Sequence, residues 1–264
     1  MDKFVYVEPF VGSGAVLFWI LSNYNISKGV INDINSDLTN CYRAIQNNVD
    51  ELIRVLFDLE KRYNAFNDEN ERKSFYLSIR NSFNLRNADT ILHSAYLIFL
   101  NRTCFNGLYR VNSKNEFNVP FGKYKNPTIC DSKNLNNVSK HLENVVILNG
   151  DYTNTLNEIE NNRCFFYFDP PYKPISKTSS FNSYAHNEFN DKEQLRLKNF
   201  CDELNERNIP WLLSNSDVKN FDPSDEFFDD LYNDYNIERV KAKRAINSNS
   251  EKRGEISELL IKNY

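Results

Sequence analysis

Four residues, Asp169-Pro170-Pro171-Tyr172, follow an apolar run and combine a carboxylate, two rigid prolines and an aromatic ring. The run, Cys164 to Phe168, has the length and composition of a buried strand. Because prolines continue neither a strand nor a helix, they hold the chain extended and fix where the acid and the ring point. Ligands of open α/β sheets bind at the carboxyl ends of strands, which makes Asp169 a candidate ligand contact. The alternative is an ordinary strand exit, since Asp and Pro are common in turns.

A glycine turn near the start of the chain is a second candidate ligand contact. Phe4 to Val7 predicts a short strand, and the turn Glu8-Pro9-Phe10-Val11-Gly12-Ser13-Gly14 leads from it into a helical run from Ala15 to Ser22. Gly12 and Gly14 let the backbone approach a ligand closely at the positive end of that helix. A lone G-x-G is equally compatible with a plain turn.

Two more acids follow predicted strands. Asp33 ends the second predicted strand, about 20 residues beyond the glycine turn, and at this spacing a carboxylate can reach ribose hydroxyls. The alternative role for Asp33 is a helix cap, but Asn35 or Ser36 can cap the following helix instead. Asp151 comes shortly after another predicted strand, residues 145 to 148.

Helices and further strands must hold these groups in place. From Asp37 to about Leu100, apolar residues recur at three- and four-residue spacing, which predicts an inserted helical domain. Residues 191 to 205 predict an amphipathic helix and residues 209 to 215 a strand. The segments 239–245 and 257–264 could close the sheet as an antiparallel pair.

Composition limits the class of protein. The 264 residues allow one large domain or one domain with an insertion, and 41% hydrophobic residues can support a core. No apolar run of membrane-spanning length and no signal-peptide pattern is visible, so we expect a cytoplasmic protein without membrane contact. Five cysteines without C-x-x-C spacing predict free thiols. His93, His141 and His186 show no metal-ligand spacing, and we predict no metal site.

A basic segment between Asn101 and Lys125 is a candidate for binding DNA. Asn106-Gly107 predicts a tight turn, Ser113 to Asn115 a second turn, and the residues between them alternate as in a projecting hairpin. The net charge of −4 argues weakly against nucleic acid, but this segment holds five basic residues against one acidic residue, and residues 239–253 hold six against one. A ribbon carrying arginine fits a major groove. The alternative is a solvated surface hairpin without a partner.

These motifs together resemble those of the Dam-type (DpnM-like, class alpha) DNA adenine-N6 methyltransferases. The resemblance rests on Asp-Pro-Pro-Tyr at 169–172, the turn at 8–14, Gly150-Asp151-Tyr152, and Asn-Gly-Leu-x-Arg followed by Phe-Asn-Val-Pro-Phe-Gly within 106–122. It implies an α/β, Rossmann-like methyltransferase fold with an inserted helical DNA-recognition domain that carries a β-hairpin. The implied catalytic domain is 1–45 with 140–264, and the implied target-recognition domain is 46–139.

The resemblance also implies the reaction. A methyl group passes from S-adenosyl-L-methionine to the N6 amino group of adenine in double-stranded DNA, within GATC, after the base is flipped out of the duplex. Asp169 and the carbonyl of Pro170 accept the amino hydrogens, Pro171 keeps that carbonyl in place, and Tyr172 stacks on the base. No metal is implied, because methyl transfer from a sulfonium needs alignment and electrostatics.

The implied binding residues form two sets. Those for the cofactor are Glu8, Pro9, Phe10, Gly12, Gly14, Asp33, Asp151, Tyr152 and Asp169. Those for DNA are Phe105, Asn106, Leu108, Arg110, Asn112, Pro120, Lys123, Ser176, Thr178 and Tyr184. We expect the protein to act as a monomer in a prokaryotic or phage-infected cell.

One motif of the family is not found in this sequence. Members usually carry a Lys-Trp-x-Gly-Gly-Lys segment before the first cofactor strand, and this sequence begins at the strand itself. We therefore expect weak binding of the methionine half of the cofactor. The alternative function is that of a truncated, weakly active or non-catalytic DNA-binding relative.

Overall fold

The computed structural model describes residues 3–159, 163–173, 189–243 and 255–264. Three candidate DNA contacts, Ser176, Thr178 and Tyr184, lie outside these described residues, and so does much of the basic run 239–253. The sequence-based expectations for those positions therefore stay predictions.

The chain forms two compact units. One consists of Met1–Asn32 together with Asp151–Tyr264, and the other of Asp33–Gly150. A helical insertion between the two parts of a strand-rich unit agrees with the predicted interruption of the strand-helix alternation. The assignment of catalysis to 1–45 with 140–264 and of DNA recognition to 46–139 concerns function, and it stays a prediction.

Strands occur where the apolar runs predict them. They are β1 (Phe4–Glu8), β2 (Ile26–Asp33), β3 (Val145–Asn149), β4 (Cys164–Phe168), β5 (Trp211–Ser216), β6 (Asn236–Lys243) and β7 (Glu255–Lys262). In the first unit their order is β2-β1-β4-β5-β7-β6. Strands β2, β1, β4 and β5 pair in parallel, and β7 is antiparallel to both β5 and β6. The predicted antiparallel closure of the sheet is confirmed.

Parallel pairing explains why β4 consists of apolar and aromatic residues alone. A strand between two parallel neighbours is covered by the protein on both faces. Phe166 and Phe168 are fully buried, and Trp211 and Leu213 of the neighbouring β5 are equally inaccessible. The strand end that carries Asp169 therefore projects from the centre of the sheet.

Helices occupy most of the remaining described residues. They are α1 (Ala15–Asn23), α2 (Ser36–Asn47), α3 (Val49–Ala65), α4 (Glu69–Leu85), α5 (Thr90–Thr103), α6 (Ser132–Leu142), α7 (Asp191–Glu206) and α8 (Phe227–Leu231). The predicted helices are confirmed. Helices α6 and α8 were not predicted from the sequence; α6 buries Leu135 and Leu142, and α8 is five residues long.

The helical second unit has an aromatic core. Leu52, Leu56 and Tyr63 of α3 are buried at helical spacing. The ring of Phe99 in α5 meets those of Tyr63 and Phe75 in edge-on contacts, with centroids 5.8 and 5.5 Å apart. Such edge-on geometry is favoured between aromatic rings beyond the area that they bury. The predicted inserted helical region thus has a core of its own.

Candidate functional site

The acid at the end of β4 is held by a serine of the neighbouring strand. Ser214 Oγ of β5 donates a hydrogen bond to Asp169 Oδ1 at 3.0 Å. The surrounding protein removes water from this carboxylate and so raises its pKa, although the residue remains exposed. The hydroxyls of Ser214 and Tyr172 act in the opposite direction. Of the four motif residues, Pro170 is buried, while Tyr172 exposes 38% of its surface beside the acid.

Polar side chains of β5 and α7 hold the loop that follows this acid. Gln194 Nε2 donates to the carbonyl of Pro171 at 3.4 Å, and Asn215 Nδ2 donates to Gln194 Oε1 at 3.2 Å. Asn215 Oδ1 accepts from the backbone N–H of Lys173, whose carbonyl accepts from Ser216 Oγ. Hydrogen bonds thus hold the loop at Pro171 and at Lys173.

These supporting residues were not predicted from the sequence. The sequence contains a partial indication of them. Strand β5 changes from the apolar Trp211-Leu212-Leu213 to the polar Ser214-Asn215-Ser216 at its carboxyl end, where ligands bind in such sheets. Gln194 gave a weaker signal, since a polar residue on an amphipathic helix is expected on the solvent face, whereas this one is fully buried. Buried polar groups are hydrogen-bonded, as both of its amide atoms are here.

The glycine turn forms as predicted and is bound to β2. The N–H of Val11 donates to the carbonyl of Asn32, whose Nδ2 donates to the carbonyl of Pro9, both at 3.0 Å. Gly12 and Gly14 have φ of 48° and 73°, a region that strains residues with a Cβ. Because Gly14 is the N-cap of α1, the backbone turns at the positive end of that helix.

Glu8 lies at the start of this turn and is almost completely buried, with 2% of its surface exposed. Its Oε2 accepts a hydrogen bond of 2.7 Å from the hydroxyl of Tyr6. Burial is the main cause that raises the pKa of Glu8 to about 8, and the charge of Asp169 adds to the effect against the lowering influence of Tyr6. The first unit thus holds two carboxyl groups that disfavour each other's ionisation.

Aromatic rings surround Phe10 in the same unit. Its ring centroid lies 5.0 Å from that of Tyr152, 5.6 Å from that of Phe189 and 6.5 Å from that of Phe168. The hydroxyl of Tyr152 is buried and has no hydrogen-bond partner among the residues that the structure describes. A buried polar atom without a partner is costly, and a ligand at this place could supply one.

Asp151 caps the 3-10 helix Tyr152–Glu158 and forms an ion pair. Its Oδ1 accepts from the N–H and hydroxyl of Thr153 and from Arg196 Nη2 at 2.8 Å. The hydrogen bond from Arg196 is the main cause that lowers the pKa of Asp151 to about 2. Since the same guanidinium lies 4.8 Å from the ring centroid of Tyr152, Arg196 joins two candidate cofactor residues.

Asp33, the remaining candidate acid, belongs to the second unit. It is the last residue of β2, and its Oδ1 accepts from the N–H of Asn35 at 2.8 Å. Its carbonyl accepts from Nδ2 of Asn149, the last residue of β3, at 2.8 Å. Asn35 caps α2 through its own side chain, which is one of the two capping choices left open by the sequence. The proposed ribose contact of Asp33 stays a prediction.

The predicted hairpin is present in the second unit. Val111 and Phe117 form an antiparallel bridge, and the N–H of Asn112 donates to the carbonyl of Glu116 at 2.9 Å. The turn between them contains Asn115 with φ of 60°. The predicted turn at 113–115 is therefore confirmed. The earlier turn is also confirmed, as the 3-10 turn Phe105–Gly107 with Asn106 at φ of 55°.

Most candidate DNA contacts of this segment are accessible. Phe105 exposes 52% of its surface and Leu108 39%, and Asn106, Arg110, Pro120 and Lys123 are exposed as well. Arg110 Nε donates to Asn118 Oδ1 at 2.7 Å, which orients its guanidinium along the hairpin. Half-buried Asn112 donates to Glu116 Oε2, and Lys123 pairs with Glu69 at 3.0 Å.

A buried carboxylate anchors the hairpin to the helices. Asp37 of α2 accepts two hydrogen bonds from Arg86, at 2.6 and 3.0 Å, and one from the hydroxyl of Tyr109 at 3.1 Å. Burial alone would raise the pKa of Asp37, but hydrogen bonds from His93 and Arg86 lower it to about 2. Arg86 also donates to the carbonyl of Asn115 in the turn of the hairpin. One carboxylate therefore joins α2 and α5 to Tyr109 of the hairpin, and its partner Arg86 reaches the turn.

The described residues hold neither a cluster of metal ligands nor a helix suited to span a membrane. No group of three or more His, Cys, Asp or Glu residues in that part of the chain is arranged to hold a metal ion. Within the same residues, no helix combines the length and the apolar character needed to cross a membrane.

A parallel-centred sheet, a glycine turn and an Asp-Pro-Pro-Tyr loop define a Rossmann-like methyltransferase fold. Residues 1–246 match the family profile described as D12 class N6 adenine-specific DNA methyltransferase. The chain belongs to this family and is an adenine-specific DNA methyltransferase.

Relatives of known name agree with this assignment over nearly the whole chain. The Type II methyltransferase M.MjaIII of Methanocaldococcus jannaschii is 50% identical over 262 residues, which are 98% of this chain and 88% of the relative. The Type II methyltransferase M1.LlaDCHI of Lactococcus lactis subsp. cremoris is 38% identical, over 98% of this chain and 86% of its own. The DNA adenine methylase of Haemophilus influenzae is 35% identical, over 96% and 82%.

Proposed function

We propose that this chain transfers a methyl group from S-adenosyl-L-methionine to the N6 amino group of adenine in duplex DNA. The observation that carries the proposal is the Asp169 carboxylate, which projects from the central strand beside Pro170 and Tyr172 with Oδ1 held by Ser214. An adenine amino nitrogen is a poor nucleophile because its lone pair is delocalised into the ring. Acceptors for both amino hydrogens draw that nitrogen toward tetrahedral geometry.

Each motif residue has a distinct role in this proposal. Asp169 accepts one amino hydrogen and the carbonyl of Pro170 accepts the other. Gln194 holds the carbonyl of Pro171, and this contact keeps the loop from turning away from the base. Tyr172 offers an exposed ring on which the base stacks. Since a target inside a duplex cannot reach this loop, the base must be flipped out, and the ring of Tyr172 partly offsets the lost stacking.

The residues of the first unit fit the proposed cofactor. Left-handed Gly12 and Gly14 leave the backbone of the turn open at the start of α1, so that a ligand can approach it closely. The buried hydroxyl of Tyr152, without a partner in the described part of the chain, offers a hydrogen bond to an adenine ring. When bound, the cofactor supplies an electrophilic methyl group on a sulfonium.

Asp33 provides a test of cofactor binding. Asp33→Ala should weaken binding of S-adenosyl-L-methionine by about ten- to a hundredfold, because a hydrogen bond to a charged group is worth about 1.5–3 kcal/mol. Titration calorimetry measures the dissociation constant. Asp131→Ala is the matched control, since Asp131 also accepts a backbone N–H at a helix start. Equal constants for the Asp33 variant and the parent protein would remove the ribose role.

The exposed hairpin is our proposed reader of the target sequence. Its likeness to the recognition hairpin of Dam-type enzymes supports GATC as the target. Two of the relatives are named as Type II methyltransferases and one as a DNA adenine methylase, and these names alone do not define a recognition sequence. The proposal therefore rests on Arg110, whose guanidinium is exposed and oriented by Asn118.

Arg110 and Lys123 should respond differently to substitution. Arg110→Ala should cost about 1–3 kcal/mol of discrimination between a GATC duplex and a scrambled duplex, because a bidentate arginine reads guanine in the major groove. Lys123→Ala should weaken binding to both duplexes and reduce the salt dependence. Fluorescence anisotropy at several salt concentrations separates the two effects. If Arg110→Ala weakens binding to both duplexes equally, the hairpin contacts phosphates and not bases, and the proposal of GATC as the target loses its support.

A further inference from the structure

The contacts of Ser214 extend beyond the four motif residues. It lies on β5 with 5% of its surface exposed, and its Oγ is 3.0 Å from Asp169 Oδ1 and 3.3 Å from the hydroxyl of Tyr167. A serine hydroxyl carries one hydrogen. When that hydrogen is given to Asp169, the hydrogen of Tyr167 must point at Ser214. Both contacts are therefore made at once only in the direction Tyr167 to Ser214 to Asp169.

Donation from Ser214 to Asp169 is favoured because a hydrogen bond to a charged acceptor is stronger than one to a neutral acceptor. Ser214 Oγ also lies 3.4 Å from the carbonyl of Phe168, a longer contact with a neutral acceptor. Donation to Asp169 is thus preferred over donation to that carbonyl. Because the contact is made with Oδ1, it fixes the rotation of the carboxylate and directs Oδ2 to the remaining acceptor role.

We propose that Ser214 is a positioning residue for methyl transfer, which holds Asp169 ionised and rotated so that Oδ2 accepts the amino hydrogen of adenine. This inference rests on the proposed function. A protonated carboxyl group loses part of its acceptor capacity. Ser214 therefore sets the pH below which Asp169 no longer assists the reaction.

The groups around Asp169 make such an anchor necessary. From β1, Glu8 faces it, and the charge of Asp169 raises the pKa of Glu8, whose partner is the hydroxyl of Tyr6. From β4, the hydroxyl of Tyr167 contacts Ser214, and in the loop the hydroxyl of Tyr172 lowers the pKa of Asp169. From β7, the charge of Glu258 contributes to raising the pKa of Tyr167 and of Tyr172. Burial raises the pKa of Asp169, and the hydrogen bond from Ser214 offsets part of this increase.

The test is the pH dependence of kcat for transfer of labelled methyl to a GATC duplex, between about pH 5.5 and about pH 9. In Ser214→Ala the acid-side decline should move upward by about one pH unit, with a loss that approaches tenfold on the acid limb and is smaller on the alkaline plateau. Ser214→Thr retains a hydroxyl and should restore the parent profile. Tyr167→Phe should move the decline in the same direction by less, and it provides the result if Ser214→Ala does not fold.

Ser216→Ala is the matched control, since Ser216 lies on the same strand and donates to Lys173 and not to Asp169. In Ser216→Ala, kcat should decline on the acid side at the same pH as in the parent protein. An unchanged profile for Ser214→Ala and Tyr167→Phe, or an equal loss at every pH, would overturn the role of Ser214 while the proposed function stands. A parent protein that transfers no methyl group to adenine at any pH would overturn the proposed function, and the role of Ser214 with it.

Discussion

Asp169→Ala should lower kcat for methyl transfer by about a hundred- to a thousandfold and leave duplex affinity nearly unchanged. The size follows from the loss of one preorganised contact in the transition state. The carboxylate assists only while the amino nitrogen changes geometry, so its removal lowers turnover more than binding. The substitution also frees Ser214, whose hydroxyl can then turn to the carbonyl of Phe168 at 3.4 Å. The strand thus keeps a partner for this buried hydroxyl.

Single-turnover transfer of labelled methyl and anisotropy with the same duplex measure the two quantities. Asp222→Ala is the matched control in the same unit, because Asp222 also accepts a serine hydroxyl, from Ser224 at 2.7 Å, and lies on the surface. It should retain the activity of the parent protein. Transfer by Asp169→Ala within tenfold of the parent would contradict the acceptor role.

Glu8→Gln should make the protein more stable than the parent above about pH 8. The pKa of Glu8 is about 8 in the folded protein, raised by burial from about 4.3 in an unfolded chain. Between these values the folded state binds more protons than the unfolded state, so the free energy of unfolding falls as pH rises. The contribution is complete below about pH 4 and is lost through about pH 8. Glutamine removes this dependence and still accepts the hydrogen bond from Tyr6.

Urea unfolding at about pH 5.5 and about pH 8.5 measures the effect. The parent protein should lose on the order of 3 kcal/mol more than Glu8→Gln between the two conditions. Glu158→Gln is the control, because Glu158 pairs with Lys28 in the same unit with a third of its side chain exposed. Curves for Glu8→Gln and the parent that shift equally with pH would show that Glu8 ionises normally in the folded protein.

The motif Asp169 to Tyr172 could be predicted from the sequence because it depends on residues that are adjacent in the chain. The same holds for the glycine turn and the hairpin, whose turn residues adopt left-handed conformations. In each case, local backbone preferences decide the structure.

The support of the site could not be predicted in this way. Ser214 reaches Asp169 only because β5 lies directly beside β4, and Gln194 reaches the loop only because α7 packs against it. Strand order and helix packing are set by contacts between residues far apart in the chain. Helix α6 could have been predicted, since Leu135, Val138 and Leu142 recur at helical spacing and Asp131 caps its start.

The anchor of the hairpin has a consequence for the evolution and design of target specificity. Asp37, Arg86 and the hydroxyl of Tyr109 hold the hairpin by contacts that involve none of the exposed side chains at 105, 108 and 110. The contacts of Asp37 therefore lie apart from these outward side chains, although Arg110 also donates to Asn118 across the hairpin. If the hairpin reads DNA as proposed, exchanging Phe105 and Leu108 should alter which sequence is bound at little cost in stability. Such a hairpin is a replaceable module on a constant base.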